Sequence, residues 1–513
     1  MSARRTRDRN ARRAQPPAYL DIPYQQELRN QWPPYIIASL PQIDEIHDMS
    51  MRILENTGIR FMDEKAMDLW EAAGAKVDRK SQHVWPDRGL IEELVAKAPS
   101  SFTFRARNPA RSRLIGENCI SFFPTAGTVF AHDIETGRRP GKQADWINIA
   151  KLVQSTNVIH IGPLQVVVMH DVPTNEKHLE QYLHGSILSD KPLMGVSHGR
   201  VIPADVIEMA RIVFGQDLKP EEGPVTGGVI NANSPLVYDD RMLGGMMTFA
   251  AAGQFTVVTP FILAGAMSPV TMAAAIAQQN AEALAGIALL QLVRPGAPVI
   301  YGGFTTNVDM KSGSPAFGTP EGAWAFFLGA QLARYYGVPY RGSGSLNTAN
   351  IPDGQAMSES MWSLWPCILA HTNLVFHAAG WLESGLAFGF EKFIMDVENL
   401  AMMQYMLQGP TWKAEDYALS AIEEVGPAGH HFGTAHTQER YQDAFYPSFL
   451  HERRNFGTWQ DAGSEDAAQR AHKVWKSVLD HYEEPPLDSA IKDALTEYAA
   501  RRKKELIGVS LYD

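Results

Sequence analysis

Three runs hold most of the residues whose types suit chemistry: PVIYGGFTTNVDMKSGSPAFGTPE, YRGSGSLNTANIPDGQ and NLVFHAAGWLESGLAFGF, in a stretch that runs from Pro298 to about Gly385. Each opens with a short apolar, β-rich burst and then turns polar, Gly-rich and aromatic. Strands end this way when their C-terminal tips line a site. Similar tips earlier in the chain complete a set of Thr125, Gln165, His198, Asn231, Asn233, Ser234, Thr259, Tyr301, Phe304, Thr306, Ser343, His377, Trp381 and Glu383. The set is poor in paired carboxylates and has no cysteine nucleophile. The chain carries neither a GxSxG elbow nor an HExxH helix. What it offers is amides, hydroxyls, two histidines and aromatic faces. Such faces suit a methylated cation, which has no N–H to donate and is held by ring quadrupoles, worth about 2 kcal/mol or more per desolvated contact.

Tyr301, Phe304, Trp381 and Phe388 are the ring candidates, with His377, Glu383 and Asn233 beside them as polar contacts; together they form the expected substrate-binding set. Each ring has a packing alternative: Tyr301, Phe304 and Trp381 divide evenly between site and core. Trp362 and Trp365, three apart on a helix, read as packing. His377 ends the strand-like VFHAAGW and divides evenly between a ligand contact and a satisfied core histidine. His430, His431 and His436 in HHFGTAH have the residue type for zinc, but no carboxylate or cysteine at ligand spacing, so no metal is expected. A loop covering the mouth of the site is the better reading of that run.

Eight strand-like bursts (CISFFPTAG, VIHIGPLQVVV, LMGVSHG, VTGGVINANSPL, FTVVTPFILAG, PVIYGGFTTN, VPYRGSGSL and LVFHAAGWLESG) must position these tips. Helical segments alternate with them eight times, which predicts a (β/α)8 TIM barrel over residues 119–408. A doubly wound sheet is the alternative, but GSGS at Gly342–Ser345 is a poor dinucleotide loop. Before the barrel, residues 33–118 read as a helical module with short connecting strands, and residues 1–32 as a disordered Arg-rich arm. After it, residues 409–513 form an extension with an amphipathic helix in AQRAHKVWKSVLDHYEEPP, packing on the barrel or on another copy.

Composition bounds the partners. The chain has 513 residues, 45% hydrophobic, and a net charge of −11, so no global basic excess points to nucleic acid or an anionic membrane. Its two cysteines cannot build a disulfide framework, and a cytoplasmic location is expected. The most apolar run, MAAAIAQQNAEALAGIALLQLV, is broken by Gln278, Gln279, Asn280 and Glu282 and reads as a buried helix rather than a membrane span. The six arginines of MSARRTRDRNARRAQPP have no apolar core beside them and are not a secretory signal.

The blocks INANSPLVYDDRML, PFILAGAMSPVT, FTTNVDMKSGSPAFGTPE, NLVFHAAGWLESG and GPAGHHFGTAHT closely resemble the trimethylamine methyltransferase (MttB) superfamily, and the similarity spans nearly the whole chain. The resemblance implies a (β/α)8 barrel that moves a methyl group from a methylated amine to the Co(I) of a corrinoid (cobalamin) carried by a separate protein. Founding members carry pyrrolysine in the loop after the seventh strand. Here that loop reads GSGSLNTANIPDGQ, with ordinary residues throughout; the equivalent position falls within Asn347–Asn350 and is assigned to Thr348. Trimethylamine must be activated before its methyl group leaves, whereas a quaternary amine already leaves as a neutral tertiary amine. A member without pyrrolysine therefore suits a quaternary substrate, with glycine betaine as the family precedent. His377, Lys311, Arg341 or backbone N–H groups would bind a substrate carboxylate, His377 first. The alternatives are a tertiary-amine methyltransferase, a metal-dependent barrel lyase or hydrolase using the three clustered histidines, a methyltransferase using S-adenosylmethionine, and a betaine-binding protein without turnover. Self-association is plausible from the apolar helices and the long tail.

Overall fold

The computed structural model describes residues 22–512. Of the arm expected over residues 1–32, residues 1–21 lie outside the described residues. Residues 22–32 run along the main sheet, where β1 (Leu28–Arg29) pairs antiparallel with Ile120 and Cys119.

The central sheet continues through β2 (Cys119–Phe122), β3 (Gly227–Ile230), β4 (Phe255–Val258), β5 (Val299–Gly302), β6 (Tyr340–Ser343) and β7 (Leu374–Phe376). Its order is β1-β2-β7-β6-β5-β4-β3, and β2 to β7 are mutually parallel. Parallel strands buried on both faces read as apolar runs, and alternate residues here divide between two cores. Phe123, Phe255, Val257, Ile300, Leu374 and Phe376 meet on one face. Ile120, Phe122, Val258, Tyr301, Tyr340 and Val375 turn to the helices on the other.

The second and third bursts, VIHIGPLQVVV and LMGVSHG, are not regular strands, contrary to expectation. They still occupy the space between β2 and β3. His160 N donates to Phe122 O (2.9 Å), Gly162 N to Pro192 O (2.8 Å) and Gly195 N to Gly227 O (2.8 Å). Side chains supply further bonds, to Phe122 and to the helix end at Val153 and Thr156. His160 Nδ1 accepts from Phe122 N at 3.0 Å. The buried Lys191 ammonium donates to the carbonyls of Val153, Thr156 and Ile159. Pro163 and Pro192 have no N–H to give.

Every expected helix is present: α1 (Leu40–Arg52), α2 (Glu64–Ala72) and α3 (Arg88–Val95) in the N-terminal part, then α4 (Gln143–Ser155), α5 (Lys177–Leu188), α6 (Val201–Phe214), α7 (Asp240–Ala251), α8 (Met272–Val293), α9 (Pro320–Tyr335), α10 (Gly354–Leu369) and α11 (Phe390–Gln408). Sequence signals at their starts explain the boundaries. Asp239, Thr319 and Asp353 accept from Met242, Gly322 and Ala356 backbone N–H groups as side-chain N-caps, and Pro320 fills the first turn of α9. The Ala-rich α8 is buried along most of its length, and no described helix is long and apolar enough to cross a membrane.

The short strands expected between the N-terminal helices are present and pair with one another. Ile59–Phe61, Lys76–Asp78 and His83–Trp85 form a small sheet joined by Val237–Tyr238 from the loop after β3. Tyr238 stacks on Phe61 (5.6 Å, 4°), so this sheet shares a core with α8. At the other end of the chain, α12 (Ala467–Asp480) packs on α11, and α13 (Ser489–Glu505) on α5 and α6. Arg502 and Tyr498 fix the latter by bonding Asp205 at 2.6 and 2.8 Å.

Beyond the C-terminal ends of the main strands the chain pairs again. Phe261–Ala264 runs parallel to Phe304–Val308, and Trp381–Leu382, Ala387–Gly389, Phe130–Asp133 and Gly137–Pro140 form a second rim sheet. The tips are thereby held as short strands rather than free loops.

Candidate functional site

His377 follows β7 directly and adopts a left-handed backbone (φ 51°) that a non-glycine residue occupies only where its surroundings impose it. Its ring is buried in an aromatic box. The centroid lies 4.5 Å from Trp381, 5.6 Å from Phe304 in a near-parallel stack, and 5.9 Å from Phe376. Phe317 closes the box, 5.8 Å from Phe304 and edge-on to Trp381 at 5.5 Å. Phe304 and Trp381 each begin a rim strand, which fixes their backbone beside the strand ends.

Trp381 is clasped by the loop after β6. Its Nε1 donates to Asn347 O at 3.0 Å, and Asn347 Nδ2 donates back to Trp381 O at 2.6 Å. Below the box, a fully buried Lys392–Asp396 pair anchors the same turn: Asp396 Oδ2 accepts from Gly380 N at 2.9 Å, and Lys392 Nζ donates to Ser360 Oγ at 2.9 Å.

Arg341, on β6, is 2% exposed, with its guanidinium over Phe304 (4.9 Å) and Phe376 (4.6 Å). Among the described residues no carboxylate lies within ion-pair distance of it. Nη1 donates to Gly303 O at a long 3.4 Å, Nη2 lies 3.2 Å from His377 Nε2, and Nε has no partner. Burial pushes the guanidinium pKa down to about 10. Burial, with Arg341 beside it, holds the His377 imidazole well below its ordinary range, so the ring is neutral.

A neutral imidazole has one acceptor nitrogen. Two donors point at this one, Arg341 Nη2 at Nε2 and Ala126 N at Nδ1 (3.3 Å), so one of them goes unmet. The box is therefore short of acceptors around a buried cation, an arrangement that costs several kcal/mol unless an anion meets it (order of magnitude). Its chemistry is complementary to a ligand with an acceptor-rich end and an apolar, ring-seeking end.

Of the expected set, His377, Phe304 and Trp381 come together here. Tyr301 does not: alternation along β5 turns it to the helices, where its hydroxyl donates to Asn280 Oδ1 at 3.1 Å. Phe388 packs against Phe390 and Phe393 in the outer core. Glu383 pairs with Arg138 at 2.7 Å, and the exposed Asn233 exchanges bonds with Asp239. Thr348 is tied away by Glu359, which accepts from its N (2.7 Å) and its Oγ1 (2.8 Å). Lys311 is exposed on a turn. His430 and His431 are also exposed, and among the described residues no group of three or more His, Cys, Asp or Glu is placed to hold a metal ion. Sequence reasoning passed over Phe317 and Glu359, and named Asn347 only as one end of the range assigned to Thr348. Phe317 lies in one of the three opening runs and was legible as a further ring; the amide and carboxylate owe their roles to long-range bonds.

The model of the family described as trimethylamine methyltransferase (MTTB) matches residues 2–507. A glycine betaine methyltransferase of Desulfitobacterium hafniense (strain Y51) is 39% identical over 475 residues, 92% of this chain and 98% of that one. The trimethylamine methyltransferase MttB of a second strain of that species is 29% identical, covering 90% of this chain and 92% of the other. Among solved structures, the monomethylamine methyltransferase MtmB of Methanosarcina barkeri aligns over 91% of both chains with a TM-score of 0.50 at 7% identity, a likeness of fold.

Proposed function

The chain belongs to the trimethylamine methyltransferase (MTTB) family and is a methyltransferase, and from that premise we propose that its methyl donor is a quaternary amine bearing a carboxylate, glycine betaine or a close analogue. The observation that carries the reading is the buried, uncompensated Arg341 against the box of His377, Phe304, Trp381 and Phe317. The carboxylate would meet Arg341 and the free donor at His377, and the trimethylammonium group would lie against the rings, held by their quadrupoles. A simple amine such as trimethylamine would leave Arg341 unpaired.

The methyl acceptor in this reading is a reduced corrinoid on a separate protein, which supplies the nucleophile. The chain's own residues position and desolvate. The C–N bond breaks with its electron pair remaining on nitrogen, so the product leaves as a neutral tertiary amine. No general acid is needed, in keeping with a neutral His377 and with ordinary residues at Asn347–Asn350. Arg341 anchors one end of the substrate so that an N-methyl carbon faces the open end of the strands. We further propose that the architecture is a (β/α)8 barrel closed through residues 158–162 and 192–197, a reading supported by the hydrogen bonds linking these segments to Phe122 and Gly227.

The test is a demethylation assay of the purified chain with Co(I) cobalamin across a panel of tertiary and quaternary amines. Turnover is expected with carboxylate-bearing quaternary amines. Turnover of trimethylamine but of no quaternary amine would refute the proposal.

A further inference from the structure

Between the end of α11 and Tyr446 the chain leaves the body of the protein and returns to its starting point. Gly409 ends the helix with a left-handed turn, and the two roots are tied where Tyr405 Oη reaches Ala444 O (3.5 Å) and Tyr405 lies 5.6 Å from the Tyr446 ring. The excursion carries only short elements, among them a helix at Leu419–Val425 and another at Ala435–Arg440. Only Ala421 and Thr434 are buried within it. Its large apolar side chains face outward: Trp412, Tyr417, Leu419, Phe432, Tyr441 and Phe445, the last 81% exposed.

Six such groups, each able to bury roughly 150–250 Å² when aromatic, present on the order of 800 Å², about what one side of a standard protein interface covers. An isolated excursion has no reason to display that surface to water. The same chain also offers a receptor. A groove of about 540 Å³ runs between α9, α10 and the segment before α1, walled by Tyr35, Ile37, Trp324, Phe327, Trp362 and Trp365. Trp324 and Trp362 are each about half exposed there. Among the described residues, no hydrogen bond or ring contact joins the excursion to this groove, so within one chain the two apolar surfaces stand apart.

We infer that the excursion from Gly409 to Tyr446 is an assembly arm, and that its occupant is a second copy of this chain, whose Trp324–Trp362 groove receives the arm's aromatic residues. Both halves of the contact reside on one chain, so self-association buries both at once. The copies are alike in charge, each at −11, so apolar contact must supply the attraction.

Light scattering on the purified full chain tests this. A mass that is a multiple of the monomer is expected at micromolar concentration. Both Trp362→Glu and the double variant Phe432→Ser/Phe445→Ser should run as monomers that keep the parent's circular-dichroism spectrum, because each alters side chains at least half exposed within one chain. An equimolar mixture of the two should regain dimers, since one intact arm can then meet one intact groove. A monomeric full chain overturns the inference, and so does a Trp362→Glu variant that keeps the parent's mass.

Discussion

Replacing Arg341 with methionine separates binding of a carboxylate from binding of a cation. The guanidinium is 2% exposed, lies over two rings and has no carboxylate partner among the described residues. In the free protein its charge is a burden, and an apolar side chain of similar length should leave stability unchanged or raise it by about 1–4 kcal/mol. In the complex the same charge meets the substrate carboxylate. Removing one partner of a buried charged pair costs about 2–5 kcal/mol, which is roughly 30- to several-thousand-fold in affinity. A cation without a carboxylate should respond in the opposite sense. A trimethylammonium group held about 7 Å from Arg341 feels a repulsion of about 2 kcal/mol at an effective dielectric of 20, and the variant relieves it. Calorimetric titration of parent and Arg341→Met with glycine betaine and with tetramethylammonium reads both effects, and a thermal melt reads the third. The expected signature is weaker betaine binding, equal or tighter tetramethylammonium binding, and no loss of melting temperature. If both ligands weaken together, or the melt falls, Arg341 supports the fold and binds no carboxylate.

His377 gives a pH test. Its folded pKa lies well below the ordinary imidazole value, so on acidification the unfolded chain takes up the proton first. The stability it contributes is complete above about pH 6.5, the unfolded value, and is lost as pH falls below it toward the folded pKa. Betaine affinity should be flat from pH 8 to pH 6 in the parent; a break near 6.5 that vanishes in His377→Gln would contradict a neutral ring. A pair of ring variants separates wall from core. Tyr301→Phe should cost about 1 kcal/mol of stability, for a buried hydroxyl bonded to Asn280, and leave betaine affinity unchanged. Phe304→Leu should weaken betaine binding at least tenfold with a smaller thermal shift, and equal affinity losses in both variants would break the distinction.

The parts of this fold that the sequence made legible follow from period and punctuation. Eight helices after eight apolar bursts were visible because each helix carries a 3.6-residue pattern or an Ala-rich run, and several open on Asp or Thr caps. The two bursts that fail as strands fail for a reason no periodicity reports: Pro163 and Pro192 have no N–H to pair, and the His160 side chain accepts the Phe122 N–H that a neighbouring strand would take. Within the site, His377, Phe304 and Trp381 were legible as strand-tip residues. Tyr301 was misassigned by the same rule, because a tip residue faces the site or the helices according to one step of alternation, and the register of β5 decides it. Arg341 stood in the sequence as one of several carboxylate ligands. What raises it is that no carboxylate among the described residues pairs with it, which only the fold reveals.

The loop after β6, where the resemblance puts the position that carries pyrrolysine in the family's founding members, holds ordinary residues. Its residues spend their polar groups on the wall of the box. Asn347 exchanges two hydrogen bonds with Trp381, Ser345 Oγ donates to Ala378 O at 2.7 Å, and Thr348 is held by Glu359 through both its N and its hydroxyl. Gly318 packs so closely on Glu359 that an added Cβ would lie 2.4 Å from it, and its φ of 70° is natural only to glycine. Thr348 is not free to act on an amine, and Asn347 Oδ1, buried without a partner among the described residues, can accept a hydrogen bond but donate none. A donor that needs activation would find no help here, whereas one that is already a good leaving group needs only to be held. In the proposed reading the loop bears on substrate choice through the position of Trp381, and the chemistry it omits is the chemistry a quaternary amine does not require.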